Sequence, residues 1–213
     1  MTSSTGNGPN LVLASESPRR HELLSSLGFR LQIDPSRTAE PEHRAGETAP
    51  AYALRAARAK ARAVARRHAA GLVIGADTIV AVRSSILGKP VSKVEAEAML
   101  RRLSGRWHDV FTGICLIDAG SGRSRSAVSR SRVHFRRMNA AEIRWLLAKG
   151  EYRDKAGAYA IQGFASLFID RIEGCYFNIV GFPIETFARL CRDMGFPLLP
   201  VPAGRSVPSG RGH

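Results

Sequence analysis

Several short segments carry side chains whose types and spacing could handle phosphate. The first is Ser15-Glu16-Ser17-Pro18-Arg19-Arg20, directly after the apolar run Leu11 to Ala14. Ser17 is a helix-capping type, and Pro18 suits a first helical position. A helix beginning there presents free backbone N–H groups and partial positive charge to an anion. Arg19 and Arg20 add forked donors suited to phosphate oxygens. The plainer alternative is a capped helix with two solvated arginines. The segment lacks the glycines of a Walker loop or a dinucleotide fingerprint, which disfavours both of those nucleotide folds.

The second candidate is Asp77, placed by the pattern at the carboxyl end of the apolar strand Leu72 to Ala76. Open α/β sheets collect ligands beyond the carboxyl ends of their strands. A carboxylate there can hold a divalent cation or take a proton from water. A turn or cap aspartate is the competing reading, and Thr78 could cap as easily as it could read a base. Gly88-Lys89-Pro90 holds a lysine in a turn, where it could neutralise a phosphate leaving group. Lys60 stands alone among arginines on an alanine-rich helix, which by itself says little. Lys155 to Tyr159 and Ile161 to Gly163 are rich in small residues and let backbone approach a ligand closely. Gln162 in that stretch could bond a base edge. His108 and His134 have no two-histidine ligand spacing. Cys175, beside Tyr176 and Phe177, reads as packing rather than a nucleophile.

The elements that must position these groups can be read from periodicity. Strands are expected over Leu11 to Ala14, Phe29 to Ile33 and Leu72 to Ala76, with Ile79 to Val82 as a continuation. A strand pair is expected over Val110 to Ile117 and Ser126 to Phe135, turning near Gly120-Ser121-Gly122. Helices are expected from Pro18 to before Gly28, Pro50 to His68, Val94 to Leu103, Ala140 to Ala148 and Ile184 to Met194. On the second helix, Leu54, Ala57, Ala61 and Val64 form the predicted core stripe. The order strand–helix–strand–helix–strand, then an antiparallel pair, predicts an α/β fold: a mixed sheet flanked by helices. Residues 1–9 and 200–213 read as disordered ends around one domain at 10–199.

At 213 residues, such a domain can bury a core without staples. No apolar run approaches the ~20 residues of a membrane span, and the polar first residues lack a signal-peptide core. The cytoplasm is the expected compartment. Three widely spaced cysteines suggest neither a disulfide framework nor a zinc site. The net charge of +14 favours anionic partners, nucleotides and nucleic acid alike. The excess is almost all arginine in an alanine-rich chain, which codon bias would also produce. A single-strand nucleic-acid binder would interleave aromatics with the arginines of 123–137, and this chain does not.

Taken together and in order, the motifs are more specific than any one of them. Ala14 to Arg20 is followed by Gly75-Ala76-Asp77-Thr78-Ile79-Val80, Ile86-Leu87-Gly88-Lys89-Pro90 and Leu103-Ser104-Gly105. Then come His108-Asp109-Val110-Phe111-Thr112-Gly113, Asp154 to Gly163, and Asn178-Ile179-Val180-Gly181. From about Leu11 to Met194 the chain resembles the Maf family of nucleoside triphosphate pyrophosphatases. The resemblance implies an elongated α/β fold of two lobes with a central cleft, related to the ITPase type. It also implies cleavage of a nucleoside triphosphate to monophosphate and pyrophosphate with a divalent cation, Mg²⁺ or Mn²⁺. Carried over by motif, Asp77 would activate water. Ser15, Arg20, Lys60, Thr78, Lys89 and Gln162 would surround the substrate, and Glu40 would join Asp77 at the metal. Arg20, Thr78 and Gln162 together look like the subgroup acting on dTTP and UTP. A homodimer is plausible by the same resemblance. Tyr152, Cys175 and Phe182 depart from residues more usual in the family, away from the charged set. A pyrophosphatase for modified purine triphosphates, and a basic nucleic-acid-binding protein, are the rival readings.

Overall fold

The computed structural model describes residues 10–196 except Ser84, together with Leu198. The ends expected to be disordered, 1–9 and 200–213, lie outside the described residues. The elements in order are β1 (Leu11–Leu13), α1 (Pro18–Ser26), β2 (Leu31–Ile33), α2 (Ala49–Ala65), β3 (Leu72–Val82) and β4 (Ser85–Leu87). They continue with α3 (Lys93–Leu103), β5 (Trp107–Asp118), β6 (Ser124–Phe135), α4 (Ala140–Ala148), β7 (Ile169–Glu173), α5 (Tyr176–Val180) and α6 (Ile184–Asp193). The strands form one mixed sheet in the order β2-β1-β3-β5-β6-β7, with β4 also paired to β3. Contacts β1–β2 and β1–β3 are parallel, and the others are antiparallel. No helix among the described residues is long and apolar enough to cross a membrane.

Two cores divide the sheet along its long strands. One joins Leu11, Leu13, Ile74 and Leu116 to Leu24 of α1 and to Phe187 and Leu190 of α6. The other joins Val80, Val82, Val110 and Phe135 to Leu100 of α3 and Ile143 and Leu146 of α4. The strand β3 crosses from the first core to the second, and Asp77 and Thr78 sit at the crossing. The mixed sheet flanked by helices is as the sequence predicts, and the two cores accord with the two lobes that the resemblance implies.

The placing of Asp77 at the carboxyl end of a strand is corrected, whereas the continuation over Ile79 to Val82 is found. The strand continues to Val82, because Ile79 to Val82 pairs with both β5 and β4. What does end there is a neighbour. On one edge of β3, β1 pairs with Leu72–Ile74 and β4 with Val80–Val82. Residues 75–79 have no strand partner on that edge among the described residues. The sheet is therefore open beside Asp77, within a continuous strand.

The α2 stripe also shifts. Ala53, Ala56, Ala57, Ala61 and Val64 are buried, and Leu54 is only half-buried. The reason lies in the sheet. A Cβ on Gly75 would strike the Ala57 carbonyl oxygen and come 2.7 Å from Ala61 Cβ, and one on Gly113 would strike the Ala53 carbonyl. These two glycines let an alanine face lie directly on the strands, closer than a leucine would allow. Strands β4 and β7 and helix α5 are short, and periodicity did not predict them.

Candidate active site

The gap in the β3 edge opens into a cleft of about 760 Å³, within the range of small-ligand pockets. It is lined from both lobes. Ser15, Arg19 and Arg20 come from the β1–α1 turn, Glu40 from the following loop, Lys60 from α2, and Asp77 and Thr78 from β3. Lys89 follows β4, and Lys155 and Gln162 come from the small-residue stretch. All the site residues expected from sequence thus reach one cavity. Arg37, Tyr52 and Lys155 line it as well, and they were not among the site residues expected.

The close seating of α2 governs one wall. Asp77 is paired across the sheet with Gly113, on the face that α2 covers. The missing side chain there brings α2 near enough for Lys60 Nζ to lie 2.5 Å from Asp77 Oδ1. Both side chains are largely buried. Across the cleft, Lys89 Nζ lies 2.5 Å from Glu40 Oε1 in a half-exposed pair. Burial alone would push the Glu40 carboxyl up. The Lys89 hydrogen bond and the charges of Lys89, Lys60 and Arg20 outweigh it and hold Glu40 below its ordinary range. Tyr52 is pushed up, first by burial and then by the charges of Asp77 and Glu40.

Thr78 faces the other side of the sheet, and its surroundings are neutral except for Arg20. That guanidinium is buried. It donates from Nε to the Gly181 carbonyl at 2.9 Å, from Nη1 to Ser15 Oγ at 3.0 Å and from Nη2 to Thr78 Oγ1 at 3.0 Å. Three of its five N–H groups are thereby used, and it forms no ion pair among the described residues. Burial draws its pKa down, while Asp77 and Glu40 act upward. A buried cation with neutral partners and unused donors, opening on a cavity, suits an anionic or carbonyl-bearing ligand. The capping role expected of Ser17 is corrected. Ser17 makes no side-chain cap, and its own N–H donates to Ser15 Oγ at 3.2 Å.

Lys89 and Gln162 are placed by backbone. The Gly157 N–H donates to the Gly88 carbonyl at 3.1 Å. Gly157 has φ 70°, and a side chain there would press 3.0 Å from Val80. Beyond Gln162, the Glu151 carboxylate accepts the Phe164 N–H at 2.8 Å and fills the space a Gly163 side chain would need. The Gln162 side chain is exposed and makes no hydrogen bond among the described residues. Burial, then the charge of Arg19, pulls Lys155 below its ordinary pKa.

Neither candidate histidine lines the cleft. His108 is buried in the second core, with Nε2 2.7 Å from the Tyr159 hydroxyl. Burial, helped by His134, pushes it down to about 3, so it packs as a neutral ring. His134 pairs with Asp170 at the surface. Cys175 contributes its backbone to Ser131 and stays outside the cleft.

No group of three or more His, Cys, Asp or Glu fit to hold a metal occurs among the described residues. Glu16, Glu40, Asp77 and Asp154 line the cleft, and the two that are ion-paired, Asp77 and Glu40, each keep one oxygen in reserve. Asp77 Oδ2 and Glu40 Oε2 have no hydrogen-bond partner among the described residues. Such a pair does not make an all-protein cage. It does fit Mg²⁺, which is commonly held by one or two carboxylates plus substrate phosphates.

Fold and site together define a class: a mixed α/β protein with a cationic, nucleotide-sized cleft between two cores. A family model described as Maf-like protein matches residues 10–194. A dTTP/UTP pyrophosphatase of Myxococcus xanthus (strain DK1622) is 47% identical over 88% of this chain and 94% of its own length. Proteins of the same name from Anaeromyxobacter sp. (strain Fw109-5) and Dehalococcoides mccartyi are 47% and 44% identical. They cover 88% and 89% of this chain and 91% and 84% of their own. The chain belongs to the Maf family.

Proposed function

We propose that this protein hydrolyses dTTP and UTP to the monophosphate and pyrophosphate in the cleft around Asp77. The observation that carries this reading is the buried Asp77–Lys60 pair opening on a cavity walled by Arg20, Lys89 and Lys155. The names of the relatives support the substrate class. Water attacks the α-phosphorus, the bond to the bridging oxygen breaks, and pyrophosphate leaves. Asp77 takes the proton of the attacking water. Lys60 fixes one Asp77 oxygen and leaves the other free to face the nucleophile. Negative charge develops on the phosphoryl oxygens in the transition state, where Lys60 and Lys89 supply fixed positive charge. Glu40 would hold Mg²⁺ or Mn²⁺ through its free oxygen together with the substrate phosphates, with Asp77 beside it as a second carboxylate, and the bound cation would neutralise phosphate charge. Thr78, Arg20 and Gln162 would read the base.

The test is pyrophosphate release from a panel of canonical and modified triphosphates, with Mg²⁺ and after metal stripping with EDTA. Turnover led by dTTP and UTP, and lost in EDTA, is expected. A panel led by modified purines would replace the substrate assignment. Salt-sensitive nucleic-acid binding without triphosphate turnover would overturn the reading altogether.

A further inference from the structure

The buried chain Arg20–Thr78–Thr112–Asn178 has a direction, set by where its protons can go. Arg20 Nη2 can only donate, so Thr78 Oγ1 accepts that bond at 3.0 Å. The Asn178 backbone carbonyl can only accept, so Thr112 Oγ1 donates to it at 3.1 Å. The single Thr112 hydrogen is then used. The 2.9 Å contact between the two hydroxyls therefore takes its hydrogen from Thr78. The reverse arrangement would turn the Thr112 hydrogen on Thr78 and send the Thr78 hydrogen to the Gly181 carbonyl at 3.3 Å. It exchanges a 3.1 Å bond for a longer one and uses every acceptor position of Thr78 inside the protein. Only the first arrangement leaves Thr78 a lone pair for the cleft, and in neither is its hydrogen free.

We propose that Thr112 is a specificity-determining positioning residue. By taking the Thr78 proton it makes Thr78 an acceptor-only group on the cleft wall, which selects a base presenting an N–H donor there. This rests on the reading of the cleft as a pyrimidine triphosphate site. Thymine and uracil carry hydrogen on N3, whereas cytosine presents a bare lone pair at N3. Against an acceptor the first kind of base makes a hydrogen bond. The second leaves two lone pairs facing each other with no proton between them. Thr112 is fully buried and does not line the cleft, so it acts through Thr78. Its position on β5, directly opposite Thr78 of β3, puts the two hydroxyls on one face of the sheet.

The experiment is pyrophosphate release from dTTP, UTP, dCTP and CTP by the intact protein with Mg²⁺. Thr112→Val keeps the shape and removes the hydroxyl, which leaves the Thr78 hydrogen only the longer 3.3 Å contact to the Gly181 carbonyl, a bond weak enough for a ligand acceptor to compete with. The ratio of kcat/KM for dTTP over dCTP is expected to fall about tenfold in Thr112→Val and to return in Thr112→Ser. An unchanged ratio, or an equal loss on both substrates, overturns the role. Should Thr112→Val not fold, Thr112→Ala carries the same expectation. A folded Thr112→Ser variant that loses the ratio overturns it too. If the unaltered protein turns over neither dTTP nor UTP, the reading of the cleft fails and takes this proposal with it. A failure confined to the variants leaves that reading standing.

Discussion

Asp77 and Thr78 are neighbours in β3, yet their side chains meet opposite faces of the sheet and two different kinds of surroundings. On the Asp77 face, a helix lies on bare glycine backbone and carries Lys60 into an ion pair. On the Thr78 face, hydroxyls and carbonyls form a chain around one buried arginine, without a paired carboxylate. Charge pairs are strong and weakly directional, which suits the handling of phosphate and proton. Neutral hydrogen bonds are weak but say donor or acceptor, which suits the reading of a base. The break in the β3 edge lets one ligand reach both faces. The difference suggests a division of labour: changes on the first face should slow every nucleotide alike, and changes on the second should reorder them.

The largest expected effect is that of Asp77→Asn. It preserves shape and removes the proposed proton acceptor, so turnover should fall by about 10²–10⁴, by a similar factor for dTTP, UTP and any slower substrate. Steady-state pyrophosphate release checks the rate, and circular dichroism checks the fold. Near-normal turnover would remove Asp77 from the chemistry. A loss restricted to one base would break the division between the faces.

A smaller effect is expected from Gly113→Ala, far from any ligand contact. The added methyl meets the Ala53 carbonyl and comes 2.8 Å from the Leu54 Cα, so α2 must move outward. Overpacking of this kind costs about 1–3 kcal/mol, seen as a lower Tm. Displacing Lys60 by even ~1 Å from Asp77 should slow all nucleotides by up to about 10². A variant of unchanged activity at lowered Tm would show that the Lys60 contact tolerates slack.

How much of this was legible in the sequence depended on whether the signal was local. Asp77 stood out because an apolar run delivers it, and the strand–turn–helix at Ser15 to Arg20 could be read from capping types alone. Lys60 could not be distinguished from the arginines around it by periodicity. Its place is set by Gly75 of β3 and Gly113 of β5, which mark where α2 may approach. Resemblance supplied Lys60, and the glycines supply its reason. Thr112 belongs to the His108 to Gly113 motif, but nothing local marks its hydroxyl, that of one threonine in a strand. Its hydroxyl gains a meaning only when β3 and β5 pair in register. Leu54 was misplaced for the same reason, because helical periodicity cannot foresee a sheet with two side chains missing.

The smallest effect is the most discriminating between the faces. Gln162 stands at the cleft on a loop pinned through Glu151, and its exposed amide has no partner of its own among the described residues. Nothing in the fold depends on that amide, so Gln162→Ala should leave Tm close to that of the unaltered protein. An amide can offer either a donor or an acceptor by turning over, so it adapts to the base edge that Thr78 admits. Loss of one such bond is worth at most about tenfold on the favoured nucleotide. Nucleotides that never made it should lose less. The ranking across dTTP, UTP, dCTP and CTP should therefore compress while turnover at saturation stays within a few-fold. An equal loss across all four would place Gln162 with the phosphate-handling groups of the Asp77 face. The two faces would then share their labour across the cleft instead of dividing it at β3.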